Sequence, residues 1–413
     1  STMQKGSLLR LYAPLLVLYF LIVGFMFDPN WTGDEIRFRY YAENLTQGYF
    51  GDPANPDFRN GPGYSMFLVP FVALGLPKLT VSLANVFLIL GGLVFFQKAA
   101  RMLVSEKWAY YLTLMMGLYP VMLKVMPKAV YEAFYFFLVC GFLYFFLKAV
   151  RKPEFAMRDF LVAGLFMGVL ALTRFVYGYA LFVSIPIVLL ASVIWRKPQF
   201  KGWGLTVAVG IMICVPYLAY TYSVTGKSFY WGTNGGEVLY WMTTGEDKEY
   251  GDWQAKDRVL NDEIEDLAPI HKEFVASIMS LNHIERDDAF KQKALENMSE
   301  HPEVYIKNWV NNVIRMFWGF PRSYRQQDLR PVPYIILNTV MLLALIFSLI
   351  GAWRNLFDIP LYFWALWMIF LIYVGITTLV HAEPRYLVSV VPFCLLWITY
   401  IGTRYFSLHI KSS

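Results

Sequence analysis

The sequence predicts an all-α protein that crosses a membrane many times, and two observations lead to this fold class. Hydrophobic residues make up 57% of the 413 residues, whereas charged residues make up only 16%. Apolar runs of about 20 residues recur along the chain, and each is long enough to cross roughly 30 Å of hydrocarbon as an α-helix. A soluble domain rarely has this composition, so we predict a polytopic membrane protein.

We predict about ten transmembrane helices, within a range of about 10 to 13. Their predicted bounds are 8–27, 81–100, 108–123, 128–148, 159–173, 176–195, 203–222, 333–352, 359–379 and 386–404. The first run lacks a small-residue cleavage site, so it is predicted to stay as a span rather than to be removed as a signal peptide. The apolar piece 64–76 is too short for a crossing and is expected to lie at the interface or to re-enter.

Basic residues predict the orientation of these spans. The short connectors on one side collect the following basic residues: Lys5, Arg10, Lys98, Arg101, Lys107, Lys148, Arg151, Lys152, Arg158, Arg196, Lys197, Lys201, Arg354, Arg404 and Lys411. The positive-inside rule assigns this side to the cytoplasm, and an even span count places both termini there. Two long segments, 28–63 and 223–332, then lie on the outer side. Because the net charge of +6 is spread over helix ends, it does not predict nucleic-acid binding.

The spans and the long segments divide the chain into three predicted regions. An N-terminal transmembrane module, 1–222, contains the first outer loop, an extracytoplasmic helical segment occupies 223–332, and C-terminal transmembrane helices occupy 333–413. Within the middle region, apolar residues recur at helical spacing through 255–300 and again through 303–318. This pattern predicts amphipathic helices on the outer surface.

Asp34 and Glu35 are the most informative residues for function, because two carboxylates follow directly after the first span on its outer side. Thr32 and Glu35 have the spacing of a capping box, so we predict that a helix starts here with Thr32 as its N-cap. Acids in a first helical turn also complement the helix dipole without any catalytic role. Asp34 is not needed for the box and lies where a lipid-borne substrate would present its head group, so it is the stronger catalytic candidate.

Further charged residues stand at the outer ends of predicted spans. Arg59 could pair with a phosphate or with a neighbouring acid. Glu132 lies within a predicted span, where acids are costly and are usually paired or functional. Lys128 is four residues away from it, so a structural Lys128–Glu132 pair on one helix face is one explanation. His381 and Glu383 lie close together in the sequence, but a metal site there would need more ligands.

Several motifs, in a fixed order, resemble the polyprenyl-phosphate-sugar-dependent glycosyltransferases of the GT-C superfamily. The similarity is to the bacterial dolichyl-phosphate-mannose-protein mannosyltransferase-like group, which includes the lipid A aminoarabinose transferases. The matching residues are Gly33-Asp34-Glu35, Tyr40-Tyr41-Ala42-Glu43-Asn44-Leu45, Gly48, Asn60-Gly61-Pro62-Gly63-Tyr64, Tyr119-Pro120, Tyr131-Glu132, Leu172-Thr173-Arg174, Pro216-Tyr217, Gly226-Lys227, Thr233-Asn234-Gly235-Gly236, His301-Pro302, Tyr305, Glu383-Pro384-Arg385-Tyr386 and Pro392. They cover most of the chain and share one side of the membrane.

The resemblance implies a GT-C-like membrane bundle whose first outer loop holds the catalytic carboxylate. In this chain that residue is Asp34, with Glu35 beside it, and it would act as the general base of an inverting sugar transfer. The expected holders of the donor phosphate are Arg59, Arg174 and Arg385, with Lys124 and Lys128 behind them. Other expected residues of the substrate pocket are Asp57, Tyr64, Glu132, His381 and Glu383. The family often has a phosphate-binding lysine where this chain has Asn60, so Arg59 is expected to replace it.

The implied partners are a polyprenyl-phosphate sugar as donor and a lipid, a glycan or a protein as acceptor, among membrane lipids. The implied location is a bacterial inner (cytoplasmic) membrane, with the active site facing the periplasm or exterior. No cofactor is expected to be required, since a monophosphate donor does not need a chelating metal. Oxygen ligands for a divalent ion are nevertheless available from Asp34, Glu35, Asp52 and Asp57.

Three other functions stay open from the sequence. A transporter or lipid flippase would explain the charges near the spans, but the inverted repeats that this function predicts are not found. A membrane scaffold could bind a protein partner through the amphipathic stretch 255–320. An enzyme of the same broad class could instead use a pyrophosphate-linked glycan, as a polymerase or a ligase does.

Overall fold

The computed structural model describes residues 2–197, 199–325 and 332–406, with side chains from residue 10 onward. All regular secondary structure in these residues is helical, so the predicted all-α class is confirmed. The side chain of Lys5, the residue Lys411 and the ends of the predicted middle and C-terminal regions lie outside the described residues.

The chain forms eighteen α-helices and one 3₁₀ helix within the described residues. The helices are α1 Thr2–Met26, α2 Asp34–Thr46, α3 Pro62–Ala73, α4 Lys78–Leu103, α5 Glu106–Gly117, α6 Pro120–Val125, α7 Glu132–Val150, α8 Met157–Thr173, α9 Phe175–Trp195, α10 Gln199–Thr225, α11 Gly235–Thr243, α12 Lys256–Leu260, α13 Pro269–Ile278, α14 His283–Glu300, α15 Pro302–Trp318, α16 Val332–Arg354, α17 Leu361–Val380, the 3₁₀ helix Pro384–Ser389 and α18 Val391–Tyr405.

Six of the described helices are long and apolar enough to cross a membrane: α4, α7, α9, α10, α16 and α17. The other four predicted spans fall on shorter or broken helices. The predicted span 108–123 is divided into α5 and α6, because proline at position 120 disfavours helical geometry at Tyr119. The predicted span 386–404 begins as the 3₁₀ helix before α18 starts. The short piece 64–76 forms α3, which packs against α2 and α8.

Small residues bring the central helices together. Gly164 and Gly168 lie four residues apart on α8 and face α10. A methyl group at Gly164 would come within 2.8 Å of the Thr206 carbonyl oxygen, and one at Gly168 would come within 2.6 Å of the Ile213 Cβ atom. Such close approach is typical of helix pairs in membranes, where packing replaces the hydrophobic effect as the force that holds helices together.

The segment that the sequence predicts to be the outer segment contains α11 to α15, and its helices follow the amphipathic pattern predicted for 255–300 and 303–318. It has a buried cluster that is separate from the core of the bundle, formed by Tyr240, Trp241, Val259, Ile264, Val275, Ile278, Phe290 and Ala294. Helix α14 starts with a complete capping box between Asn282 and Glu285. The short helix α11 was not predicted.

The glycines before α3 fix the first outer loop to the bundle. A methyl group on Gly61 would come within 1.7 Å of the Leu172 carbonyl oxygen, and one on Gly63 would come within 2.4 Å of the Thr173 hydroxyl oxygen. Only glycine allows the loop to pass this close to the end of α8. Next to these contacts in the sequence are Arg59 and Arg174. Both arginines line one cavity at this end of the bundle.

Candidate active site

Two neighbouring cavities lie at the end of the bundle where the long segments meet it. The polar cavity has a volume of about 660 Å³, and its lining includes Asp34, Lys124, Lys128, Glu383 and Arg385. The amphipathic cavity has a volume of about 480 Å³, and its lining includes Arg59, Arg174, Tyr386 and apolar residues of α9 and α17. His381 lines both cavities. The residues predicted to form one pocket are thus divided between two.

The carboxylate of Asp34 is held between two arginines. Its two oxygens lie 2.8 Å from the Nη2 atom of Arg385 and 2.8 Å from the Nη2 atom of Arg37. Arg37 is in turn oriented by a 2.7 Å hydrogen bond from its Nε atom to the side chain of Asn60. Burial raises the pKa of Asp34, but the charges and hydrogen bonds of both arginines outweigh burial and lower this pKa to about 2. Asp34 is therefore a carboxylate at any physiological pH.

Replacing Arg37 with glutamine is expected to raise the pKa of Asp34, because one of two stabilising charges is lost. The titration of this carboxylate should therefore move upward by about one to three pH units. The measurement is the infrared titration profile of the Asp34 carboxylate between pH 2 and 6. Arg39→Gln is the matched control, since Arg39 lies on the same helix but pairs with Glu43 on its exposed face. Equal profiles for the two variants would contradict the expectation.

Glu132 is fully buried and shares Arg385 with Asp34. Its Oε1 atom lies 3.1 Å from the Nη1 atom of Arg385. The predicted Lys128–Glu132 pair is wrong, because α7 begins at Glu132 and Lys128 precedes the helix, so the two residues do not share a helix face. Arg385 thus links the outer-loop helix α2 to the start of the membrane helix α7.

Glu35 is buried among hydrogen-bond donors from three parts of the chain. Its carboxylate lies 2.8 Å from the ammonium of Lys78, and it accepts a 2.8 Å hydrogen bond from the backbone N–H of Ala129. It also accepts a 2.9 Å hydrogen bond from the backbone N–H of Thr32, which is one half of the predicted capping box. The other half is absent among the described bonds, since Gly33 is the N-cap and α2 starts at Asp34. Glu35 therefore ties the site loops to α4.

Arg174 is the charged group of the amphipathic cavity. It donates a 3.0 Å hydrogen bond to the hydroxyl of Tyr131, and its guanidinium lies 3.8 Å from the ring centroid of Tyr386. Its buried Nε atom has no hydrogen-bond partner, and none of the described carboxylates pairs with it. Arg59 differs, because it forms an ion pair with Glu237. Arg174 is therefore the cation here whose charge is available to a ligand.

Lys124 and Lys128 stand on the wall of the polar cavity and are exposed. The ammonium of Lys124 lies 3.3 Å from the hydroxyl of Tyr334 and 5.9 Å from the centroid of its ring. Neither lysine forms an ion pair with a carboxylate among the residues that the structure describes. Their positive charges face the same space as Asp34.

The described residues contain one cluster of metal-ligand type: ligand atoms of Asp252, His381 and Glu383 lie within 4.8 Å of one another. Arg322 donates two hydrogen bonds to Glu383, at 2.5 and 2.6 Å, and lies 3.8 Å from Asp252. An arginine thus already neutralises the carboxylates of this cluster. Long-range folding supplies Asp252 and Arg322, which carry no local sequence signal.

Three of the predicted pocket residues line neither of the two cavities: Asp57, Tyr64 and Glu132. Tyr64 is fully buried and packs edge-on against Phe38, with ring centroids 5.1 Å apart. Asp57 accepts a 2.6 Å hydrogen bond from the hydroxyl of Thr233. Sequence analysis also missed Arg37, although its position three residues after Asp34 is the spacing of an ion pair within a helix.

Comparison with known proteins gives two structural matches. No family model matches the sequence, and no curated protein matches it. The crystal structure of ArnT from Cupriavidus metallidurans bound to undecaprenyl phosphate has a TM-score of 0.45 and 16% identity, over 97% of this chain and 78% of that chain. The apo-state structure of the same protein has a TM-score of 0.40 and 14% identity, over 97% and 77%.

Proposed function

We propose that the protein is a membrane glycosyltransferase that moves a sugar from a polyprenyl-phosphate donor to an acceptor hydroxyl, on the outer face of a cytoplasmic membrane. One observation carries the proposal: the carboxylate of Asp34 stands in a polar cavity, beside an amphipathic cavity whose Arg174 forms no ion pair with any carboxylate among the described residues. Transfer of label from a radiolabelled polyprenyl-phosphate sugar to an acceptor, by purified protein in lipid nanodiscs, tests it. Uptake into vesicles without any new covalent product would contradict it.

The amphipathic cavity has the chemistry that a lipid phosphate requires. Arg174 supplies a positive charge for the phosphate. The apolar walls come from Val176 and Tyr179 on α9 and from Ile376 and Val380 on α17. Both helices are long and apolar enough to span the membrane. An isoprenoid tail could therefore extend along them into the bilayer while its phosphate stays at Arg174.

The polar cavity then receives the acceptor. Asp34 takes the proton of the acceptor hydroxyl, whose oxygen attacks the anomeric carbon of the donor sugar. The bond between that carbon and the phosphate oxygen breaks, and the lipid phosphate leaves with the electron pair. Arg174 and Arg385 are placed to stabilise the growing negative charge, since both guanidinium groups contact the ring of Tyr386. Attack from the side opposite the phosphate inverts the anomeric centre.

We propose that this reaction needs no divalent metal. A lipid monophosphate has a single charge to neutralise, and arginines are present for it. The Asp252–His381–Glu383 cluster is bonded to Arg322, so a metal would have to displace a guanidinium that makes two hydrogen bonds.

Replacing Arg174 with glutamine is expected to raise the KM for the donor by about 10- to 100-fold, because a charge-assisted contact with the phosphate is lost. Initial rates of transfer, measured over a range of donor concentrations, give this KM. Arg101→Gln is the matched control, since Arg101 pairs with the exposed residue Glu106 far from both cavities. If Arg174→Gln has the same KM for the donor as the wild type, the donor phosphate does not bind at Arg174.

A further inference from the structure

We infer that the acceptor is anionic, and that Lys124 and Lys128 bind its phosphate or carboxylate groups in the polar cavity while Asp34 activates its hydroxyl. The inference rests on the proposed function, and it narrows the acceptor from any lipid, glycan or protein to one that carries negative charge near the reacting hydroxyl. It also gives both lysines a different role from the donor-phosphate contact that the sequence predicted.

The balance of charge in the polar cavity is the first argument. Every carboxylate in its lining already lies beside a basic side chain: Asp34 with Arg385 and Arg37, Glu35 with Lys78, Glu383 with Arg322, and Asp252 with Arg315 and Arg322. Lys124 and Lys128 are left as positive charges that no described carboxylate neutralises. A neutral acceptor would leave these two charges without a counter-ion, whereas an anionic acceptor would supply one.

The second argument is position. Lysines in turns between spans often extend towards lipid head groups, where they have no role in a site. Lys124 and Lys128 instead line the same cavity as Asp34, and Arg258 adds a third positive charge to this wall. Arg258 lies 3.8 Å from Glu263, which is a weak contact. An excess of positive charge on one wall of a cleft raises the local concentration of anionic ligands.

The third argument separates this site from the donor site. The donor has an isoprenoid tail, and the amphipathic cavity offers both the apolar walls and the arginine that such a molecule needs. Charged and polar residues make up most of the lining of the polar cavity, and its volume of about 660 Å³ is large enough for a sugar with one or two attached anionic groups. Two substrates of different chemistry thus have two sites.

Binding of radiolabelled inorganic pyrophosphate to the full-length protein in nanodiscs of neutral lipid tests the inference by equilibrium dialysis. We expect saturable binding to the wild type and a dissociation constant at least about tenfold higher for the double variant Lys124→Gln/Lys128→Gln, because two charge-assisted contacts are lost. The matched control is Lys98→Gln/Lys107→Gln, which removes the same charge from α4 and α5 at exposed positions. Arg174→Gln should keep a saturable pyrophosphate site, because both lysines remain.

The absence of saturable binding to the wild type would overturn the inference, and so would equal affinities of the two double variants. Loss of binding in Arg174→Gln alone would also overturn it, because the anion would then occupy the amphipathic cavity. The experiment needs no turnover, so its outcome is independent of the transfer assay. A protein that binds pyrophosphate through the lysines but transfers no sugar would refute the proposed function and leave the anion site intact.

Discussion

Replacing Asp34 with asparagine is expected to lower the rate of sugar transfer by about 10²- to 10⁴-fold, the usual contribution of a general base. Asparagine has nearly the same shape, but it cannot take a proton from the acceptor hydroxyl. The rate is measured as label transferred from a radiolabelled polyprenyl-phosphate sugar under saturating donor. The KM for the donor should change much less than kcat, since the proposal assigns the donor phosphate to Arg174 and not to the carboxylate.

Glu43→Gln is the control for this experiment. Glu43 lies on the same helix and pairs with Arg39 on the exposed face, so the variant loses a carboxylate and an ion pair without touching either cavity. Its activity should stay within a factor of two or three of the wild type, because exposed pairs contribute little, about 1 kcal/mol or less. If Asp34→Asn has the same activity as the wild type, Asp34 is not the general base.

Replacing Lys78 with methionine is expected to destabilise the protein by about 3–5 kcal/mol, the typical cost of leaving one partner of a buried ion pair alone. Both side chains of the Lys78–Glu35 pair are only 3% exposed. Glu35 would keep its hydrogen bonds from Ala129 and Thr32 but would lose its counter-ion while staying buried. The readout is the midpoint of thermal unfolding in detergent.

The double variant Glu35→Gln/Lys78→Met distinguishes destabilisation by an unpaired buried charge from destabilisation by altered packing around residue 78. It removes both charges, so it should recover part of the stability that the single variant loses. Arg101→Gln, which breaks an exposed pair, should shift the midpoint very little. If the double variant is as unstable as the single variant, burial of an unpaired charge is not the reason for the loss.

Topology could be predicted from the sequence better than contacts. Hydrophobic length and basic connectors place Asp34 and Arg385 at the same end of the bundle, although 351 positions separate them in the chain. No local pattern, however, could show that the two side chains lie 2.8 Å apart or that Arg385 also binds Glu132. Such contacts depend on how α2, α7 and the 3₁₀ helix pack, which periodicity does not encode.

Two predictions from local sequence spacing were wrong, and each assumed an incorrect helix boundary. The pairing of Lys128 with Glu132 assumed a helix that continues through both residues, but α7 starts only at Glu132. The capping box assumed Thr32 as N-cap, but Gly33 takes this position with a positive φ of 54°. The carboxylate of Glu35 is oriented by Lys78, a residue 43 positions away, and this distant charge determines the local geometry.

The two separate apolar clusters of the chain affect how the protein unfolds on heating. Eight residues between 240 and 294 form an apolar cluster separate from the core of the bundle, so we expect this segment to unfold separately from the bundle. A calorimetric trace would then contain two transitions, and one midpoint would not describe the whole molecule. Tryptophans are present in both parts, Trp241 in the outer cluster and Trp397 in the bundle, so total fluorescence would merge the two events. A probe confined to one cluster is needed to observe each transition separately.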